Sequence, residues 1–166
     1  NLLLNDENIP LNSCEDIRNL YNELVLDEVV NSSKNNEPDG KYFRAEEVNI
    51  ISKSGKLIHE GITPESNIIE LINKGIAILN DEDINLFIRA AVFHYMFGYV
   101  HPFYDGNGRM SRFISSYLIG KKLNVLAGYR LSYSIKNDID KYHKAFKDTN
   151  DKKNKGDLTL FVISFL

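Results

Sequence analysis

The sequence predicts a mostly α domain with one β-hairpin and a helix–loop–helix at its centre. Three observations predict it. Apolar residues recur three and four apart through most of the chain, as they do on helices with one buried side. Only the stretch from Tyr42 to His59 reads as two strands and a turn. Two apolar helices flank the string His101-Pro-Phe-Tyr-Asp-Gly-Asn-Gly-Arg109, which concentrates a histidine, a carboxylate, a glycine-rich turn and an arginine.

Each element follows in order. Asn1 to Pro10 is polar around Leu2-Leu3-Leu4. Ile17, Leu20, Tyr21, Leu24, Val25 and Val29 then mark a helix that Ser13 can cap, with Glu15 and Asp16 in its first turn. Asn31 to Gly40 is a loop by composition. Tyr42 to Ile51 reads as extended, Ser54-Gly55 as a turn, and Lys56 to His59 as the returning strand. Thr63-Pro64-Glu65 opens a helix with Ile68, Ile69, Leu71, Ile72, Ile76 and Leu79 on its apolar side. Asn80-Asp-Glu-Asp83 reads as the start of the next helix, acidic where the helix dipole favours it. That helix is apolar nearly all round (Ile84, Phe87, Ile88, Ala91, Val92, Phe93, Tyr95, Met96), so it belongs at the centre and ends near Gly98. Another helix begins after Gly106-Asn107, carries Met110, Phe113, Ile114, Tyr117 and Leu118, and ends near Lys121-Lys122. Ile135 to Phe146 predicts one further helix, Asp148 to Gly156 a charged loop, and Leu158 to Leu166 a last helix. No repeats or low-complexity tracts interrupt the pattern.

Length and composition bound the function. The chain has 166 residues, 43% hydrophobic and 26% charged, which suits one domain over residues 1–166. A net charge of −3 argues against bulk nucleic-acid binding, which needs a basic face, but not against a nucleotide held by a local patch. Cys14 is the single cysteine, so no internal disulfide forms and a reducing cytosol is compatible. Cys14 itself suits packing better than nucleophilic work. The richest apolar segment, Leu86 to Val100, is broken by Arg89 and His94 and is shorter than the ~20 residues of a membrane span. No membrane association is expected. The chain opens on Asn1 rather than Met, so a trimmed or processed piece is expected.

The chemistry lies in the central loop. Gly106, Asn107 and Gly108 suit a turn that aims several backbone N–H groups at one spot, and the helix that follows adds positive potential there. Arg109 and Arg112 stand three apart, on one helical face, as two guanidinium forks for phosphate oxygens. Asp105 is a hard oxygen ligand of the kind a Mg²⁺ bridging phosphates needs. His101 is the nearby side chain able to accept a proton near neutral pH. Together these groups suit nucleotidyl or phosphoryl transfer to a hydroxyl. Each residue alone also fits a plain capped turn with solvated arginines. The P-loop pattern is absent, so this is a different phosphate cradle.

His101 to Arg109 resembles the signature H-P-F-x-[DE]-G-N-[GK]-R of the Fic family without departure, and Arg112 matches the second arginine of its longer form. The resemblance extends to Ala90-Ala-Val-Phe-His-Tyr95, like the helix before the motif, to Gly40-Lys-Tyr-Phe-Arg44 and the hairpin after it, and to Gly156-Asp-Leu-Thr159 near the end. It covers most of the chain from about Ile17 onward. It implies a Fic-fold helical bundle with a signature loop at 101–112 and a flap at about 46–62. The implied activity is protein adenylylation: AMP passes from ATP to a Ser, Thr or Tyr hydroxyl of a target protein, and pyrophosphate leaves. On this resemblance His101 is the general base and Asp105 the Mg²⁺ ligand. Gly106, Asn107, Gly108, Arg109 and Arg112 hold the nucleotide phosphates, and Phe103 anchors the loop in the core.

The resemblance also implies that Lys56, Leu57, Ile58 and His59 dock the target segment, where the residues alone read as a surface hairpin. His143, Phe146 and Asn150 are implied near the adenine, against the alternative of a core helix with a polar edge. Transfer of phosphate or another nucleotide is the alternative reaction, and a non-catalytic nucleotide-binding toxin–antitoxin module the alternative class. His94 stands seven before His101, but no third metal ligand is evident, and a satisfied helix histidine is the simpler reading. Many relatives are restrained by a [ST]-x-x-x-E-[GN] helix; Ser33 to Glu37 has the spacing but is followed by Pro38. Restraint is therefore expected from a segment outside this chain or a separate antitoxin. The expected partners are ATP, a hydroxyl-bearing target and, in some assemblies, a second copy of the chain. The expected location is the cytoplasm or a host cytosol after delivery.

Overall fold

The computed structural model describes residues 8–51, 55 and 57–165. The expectations for Leu2-Leu3-Leu4, Ser54, Lys56 and Leu166 fall outside the described residues. Helix α1 (Cys14–Tyr21) starts at Ser13, whose hydroxyl accepts the Asp16 amide at 3.1 Å. A π-helical turn over Asn22–Leu26 joins it to α2 (Asp27–Ser32). This one extra-wide turn directs Val25 into the core beneath the central loop.

The hairpin is smaller than the sequence pattern suggests. β1 (Asn49–Ile51) pairs antiparallel with β2 (Leu57–Glu60), in the register Asn49↔Glu60, Ile50↔His59 and Ile51↔Leu57, so a bulge leaves Ile58 extra. Tyr42 to Glu47, expected as extended, form no strand. Their amides find acceptors off any strand: the Glu65 carboxylate takes those of Tyr42 and Phe43 at 2.8 Å each, with that of Lys41 just before them at 2.9 Å, and Pro102 C=O, Asp39 and the Tyr104 hydroxyl take those of Arg44, Ala45 and Glu46 at 3.1, 2.8 and 3.0 Å.

Helix α3 (Glu65–Asn80) follows Pro64 at the cap position. Asn80 to Asp83, expected to open the next helix, instead closes α3 and forms the connection, where the Asp81 carboxylate accepts the Asp83 amide at 3.0 Å. Helix α4 (Leu86–Val100) is capped by Asn85, which accepts from the Phe87 amide at 3.0 Å. Helix α5 spans Asn107–Lys122, as expected. The single helix expected over Ile135 to Phe146 is two, α6 (Val125–Asn137) and α7 (Ile139–Thr149). The break is Asp138, whose backbone leaves the helical region (φ −131°, ψ 59°) and whose carboxylate caps the Lys141 amide at 3.2 Å. Most of α6 was hidden from a hydrophobic-stripe reading because it meets α5 through small residues. Gly128 rides so close to α5 that a Cβ there would stand 2.4 Å from the Ser116 carbonyl oxygen, and Ser116 and Ser132 share a 2.9 Å hydrogen bond. Helix α8 (Thr159–Phe165) ends the described chain.

The fold is helical, with α4 at its centre between α3 and α5. One large core joins α1, α3, α4 and α5 through residues such as Ile17, Ile72, Phe93, Phe97 and Met110. A smaller aromatic core of Tyr95, Phe161 and Phe146 fastens α7 and α8 to the far side of α4. No helix among the described residues is long and apolar enough to cross a membrane.

Candidate functional site

Helix α4 ends because His101 turns left-handed (φ 54°, ψ 61°), while its amide still donates to the Phe97 carbonyl at 3.0 Å. A non-glycine residue rarely adopts this conformation, so the surroundings must hold it there. The next residues dive inward. Phe103 is fully buried, stacked on Tyr21 at 3.7 Å between ring centroids and edge-on to Phe43 at 5.5 Å. Asn107, also buried, folds its side-chain amide back on Phe103, accepting its N–H at 3.0 Å and donating to its C=O at 2.7 Å. Gly106 supplies the left-handed step into α5 (φ 84°), where any Cβ would meet Val25 at 2.4 Å. The first helical bond of α5 is Met110 N–H to Gly106 C=O. The amides of Asn107, Gly108 and Arg109 therefore stand without intrahelical partners at the helix's positive end.

The side chains complete the site. His101 Nδ1 lies 3.4 Å from the Gly98 carbonyl oxygen, so it carries the proton and leaves the Nε2 lone pair free. Burial pushes its pKa down to about 4; the Gly98 contact opposes this, and the charges of Arg44 and His59 reinforce it. The ring is neutral at pH 7. Asp105 is exposed; its Oδ1 accepts the Gly106 amide at 2.5 Å and its Oδ2 stands 3.4 Å from Arg109. Arg109 also meets Glu28 of α2 at 2.6 Å, an ion pair without hydrogen-bond alignment. Arg112 has no anionic partner among the described residues and folds back over the start of α5, its Nη1 3.0 Å from where a Gly108 Cβ would stand. Three amides without intrahelical partners, and over Gly108 the Arg112 guanidinium with no anionic partner among the described residues, thus gather at the start of α5, in the loop that opens on the neutral imidazole.

Among the described residues no cluster of three or more His, Cys, Asp or Glu surrounds a metal position. Asp105 alone, exposed beside an anion cradle, fits Mg²⁺, which takes one or two carboxylates and completes its shell with phosphate oxygens and water.

The structure brings His101, Asp105, Gly106, Asn107, Gly108, Arg109 and Arg112 together, with Asn107 contributing its backbone while its side chain braces the loop. Phe146 packs on α4 at Gly98, one turn before His101: a Cβ on Gly98 would stand 2.7 Å from its ring. Asn150 accepts the Tyr95 hydroxyl at 2.5 Å. His143 is exposed, and its one ring contact among the described residues is with Tyr142, so it is not brought to the loop. On the hairpin, Ile51, Leu57 and Ile58 are exposed, whereas His59 is an anchor, with Nε2 donating to Tyr99 C=O at 2.6 Å and its ring against Tyr99. His94 is the satisfied helix histidine, buried between Ser115 at 3.0 Å and Tyr142 at 2.8 Å, and burial holds its pKa down at about 3.

Three supporting residues escape sequence reasoning. Tyr21 reads as one more core position, yet its ring supports Phe103 and its hydroxyl donates to Asp105 C=O at 3.2 Å. Glu28 is a surface acid by pattern. Arg44 sits in a polar-looking stretch and is wholly buried; a lone arginine beside Tyr42 and Phe43 is a signal, but a weak one. A crevice of about 500 Å³ lies at the other end of the bundle, between Phe87, Leu123, Leu131 and Phe165, and no signature residue lines it.

The sequence matches the family model of the Fic/DOC family over residues 11–119. A Fic family protein from Desulfovibrio desulfuricans G20 is similar in structure, with a TM-score of 0.75 at 21% sequence identity, over 98% of this chain and 46% of that one. The likeness is one of fold, and the chain spans less than half the length of that protein.

Proposed function

The chain belongs to the Fic/DOC family, and we propose that it transfers AMP from ATP to a Ser, Thr or Tyr hydroxyl of a protein, releasing pyrophosphate. The observation that carries the proposal is one loop that opens on the neutral His101 imidazole and closes on the partnerless first amides of α5, over which Arg112 folds with no anionic partner among the described residues. His101 Nε2 takes the proton of the incoming hydroxyl. The hydroxyl oxygen bonds to the α-phosphorus, the bond from that phosphorus to the bridging oxygen breaks, and pyrophosphate departs with the electron pair. A base held near pKa 4 is fully unprotonated at pH 7, and bound phosphates raise its affinity for the proton as charge develops. The amides of Asn107, Gly108 and Arg109, with Arg112, hold the phosphate oxygens in place. Arg109 spans Glu28 and Asp105, so it keeps the loop acid aimed at the phosphates. Mg²⁺, held by Asp105, would neutralise phosphate charge and assist the departure of pyrophosphate.

The hairpin receives the target as an added strand, with exposed Leu57 and Ile58 against its side chains. Phe146 of α7 and Asn150, which caps its end, border the nucleotide. The chain acts in the cytoplasm or a host cytosol, restrained by a segment beyond residues 1–166 or by a separate antitoxin.

The test is incubation with Mg²⁺, a lysate and ATP labelled at the α- or the γ-phosphate, beside His101→Ala. Protein labelling from α-label alone, lost in the variant, is expected. Labelling from γ-label alone would replace AMP transfer with phosphotransfer. ATP binding without labelling would favour a non-catalytic module.

A further inference from the structure

Among the described residues Arg44 is one of the largest fully buried side chains, and no carboxylate accompanies it. A cation in a core needs strong compensation. Here it comes from main-chain carbonyls: Nε donates to His101 at 2.8 Å, Nη1 to Glu46 at 2.6 Å, and Nη2 to Ile62 at 2.9 Å and Val100 at 3.4 Å. The Arg44 amide adds a bond to the Pro102 carbonyl at 3.1 Å. Three successive carbonyls through the left-handed bend, Val100 to Pro102, therefore end on one residue. The other two, Glu46 and Ile62, lie just before β1 and just after β2. Ile62 is tied a second time, its amide donating to Val100 C=O at 3.1 Å.

We propose that Arg44 is a positioning residue for the transfer, fixing the left-handed bend that presents His101 and holding both feet of the hairpin in register with it. The planar fork suits the task, because one rigid group reaches carbonyls on three chain segments, whereas an ammonium is a point charge on a flexible stem. In kinetic terms the role rests on the AMP-transfer reading; in structural terms it does not.

Two variants of the full chain test it. Arg44→Lys keeps the charge and removes the fork. Gly61→Ala keeps the fork and displaces it, since a Cβ at Gly61 would stand 2.3 Å from Arg44 Nη2. Thermal melts establish folding. Transfer from α-labelled ATP gives kcat and the KM for ATP, and NMR of ring-labelled histidine, assigned by loss of the signal in His101→Ala, follows the His101 titration. In Arg44→Lys we expect kcat to fall about 100-fold with the KM for ATP within about twofold. The His101 midpoint should rise from about 4 toward 6.5 as the ring loosens into water. Gly61→Ala should move both readouts in the same direction. Folded variants with wild-type kcat and an unmoved His101 titration overturn the proposal. So does failure of both variants to fold, which would make Arg44 a residue of the fold alone. If the wild type transfers no AMP, the proposed function falls, and the His101 titration still decides the role of Arg44.

Discussion

The loop between α4 and α5 and the hairpin that follows Arg44 both adjoin His101, yet the chain builds them oppositely. In the loop, Pro102, Phe103, Gly106 and Asn107 are buried, and the Asn107 amide is spent on Phe103. In the hairpin, strands of three and four residues leave Ile51, Leu57 and Ile58 to solvent. Its ties to the bundle are concentrated at its base, through His59 on Tyr99 and the carbonyls held by Arg44. The difference teaches a division of labour. On the proposed function, the loop groups would meet phosphate and proton, a task that needs fixed geometry and so packed backbone. On the same proposal the hairpin would meet a protein segment, a task for which a thin surface, apolar at its exposed positions, can adapt.

The sharpest test of the rigid side is His101→Ala. We expect kcat for AMP transfer to fall about 10²–10⁴-fold, the range of a lost general base, with an unchanged melting temperature. A loss of stability would show that the ring is needed for the bend as well as the chemistry. Asn107→Ala should come next. It strands the buried Phe103 N–H and C=O and should cost about 1–3 kcal/mol in denaturant midpoint at constant m. A neutral result would mean that stacking on Tyr21 alone holds the loop.

The packed side also carries a pH signature. His94 and His101 have pKa values held down at about 3 and about 4, mainly by burial, whereas the unfolded chain titrates them near 6.5. Below 6.5 the unfolded state binds more protons, so stability present above that pH is lost as pH falls. The loss runs at up to about 1.4 kcal/mol per pH unit for each ring, ending near 4 for His101 and near 3 for His94. Urea midpoints at falling pH check it, and His94→Gln should remove part of the slope. The smallest effect belongs to the hairpin: Ile58→Ser should leave stability within about 0.5 kcal/mol while raising the KM for the target protein. A larger loss of stability would show that the hairpin is packed like the loop.

Much of this contrast was legible in the chain. His101 to Arg112 read as one anion-binding unit because its residue types are rare together and contiguous. The central helix read correctly because an all-apolar helix has only one place to go. The acidic run at Asn80 to Asp83 misled, since acids favour helix starts and turns alike, and Asn85 won the cap. The joined helix over Ile135 to Phe146 misled because periodicity does not register a break at one capping residue, Asp138. His143 and Asn150 could not be sorted by spacing, because His143 on α7 stands exposed while Asn150, the residue that caps that helix, turns its side chain to Tyr95.

By itself the sequence determined the helical class, the family and the chemical groups of the signature loop, all of which depend on residues close together in the chain. Tertiary structure alone decided how those groups are held. Arg44 reaches carbonyls up to 57 positions away, Tyr21 supports Asp105 from 84 positions before it, and Glu28 meets Arg109 across the bundle. Such contacts leave no local pattern, because the folded backbone, and not the spacing of residues, sets which distant groups meet.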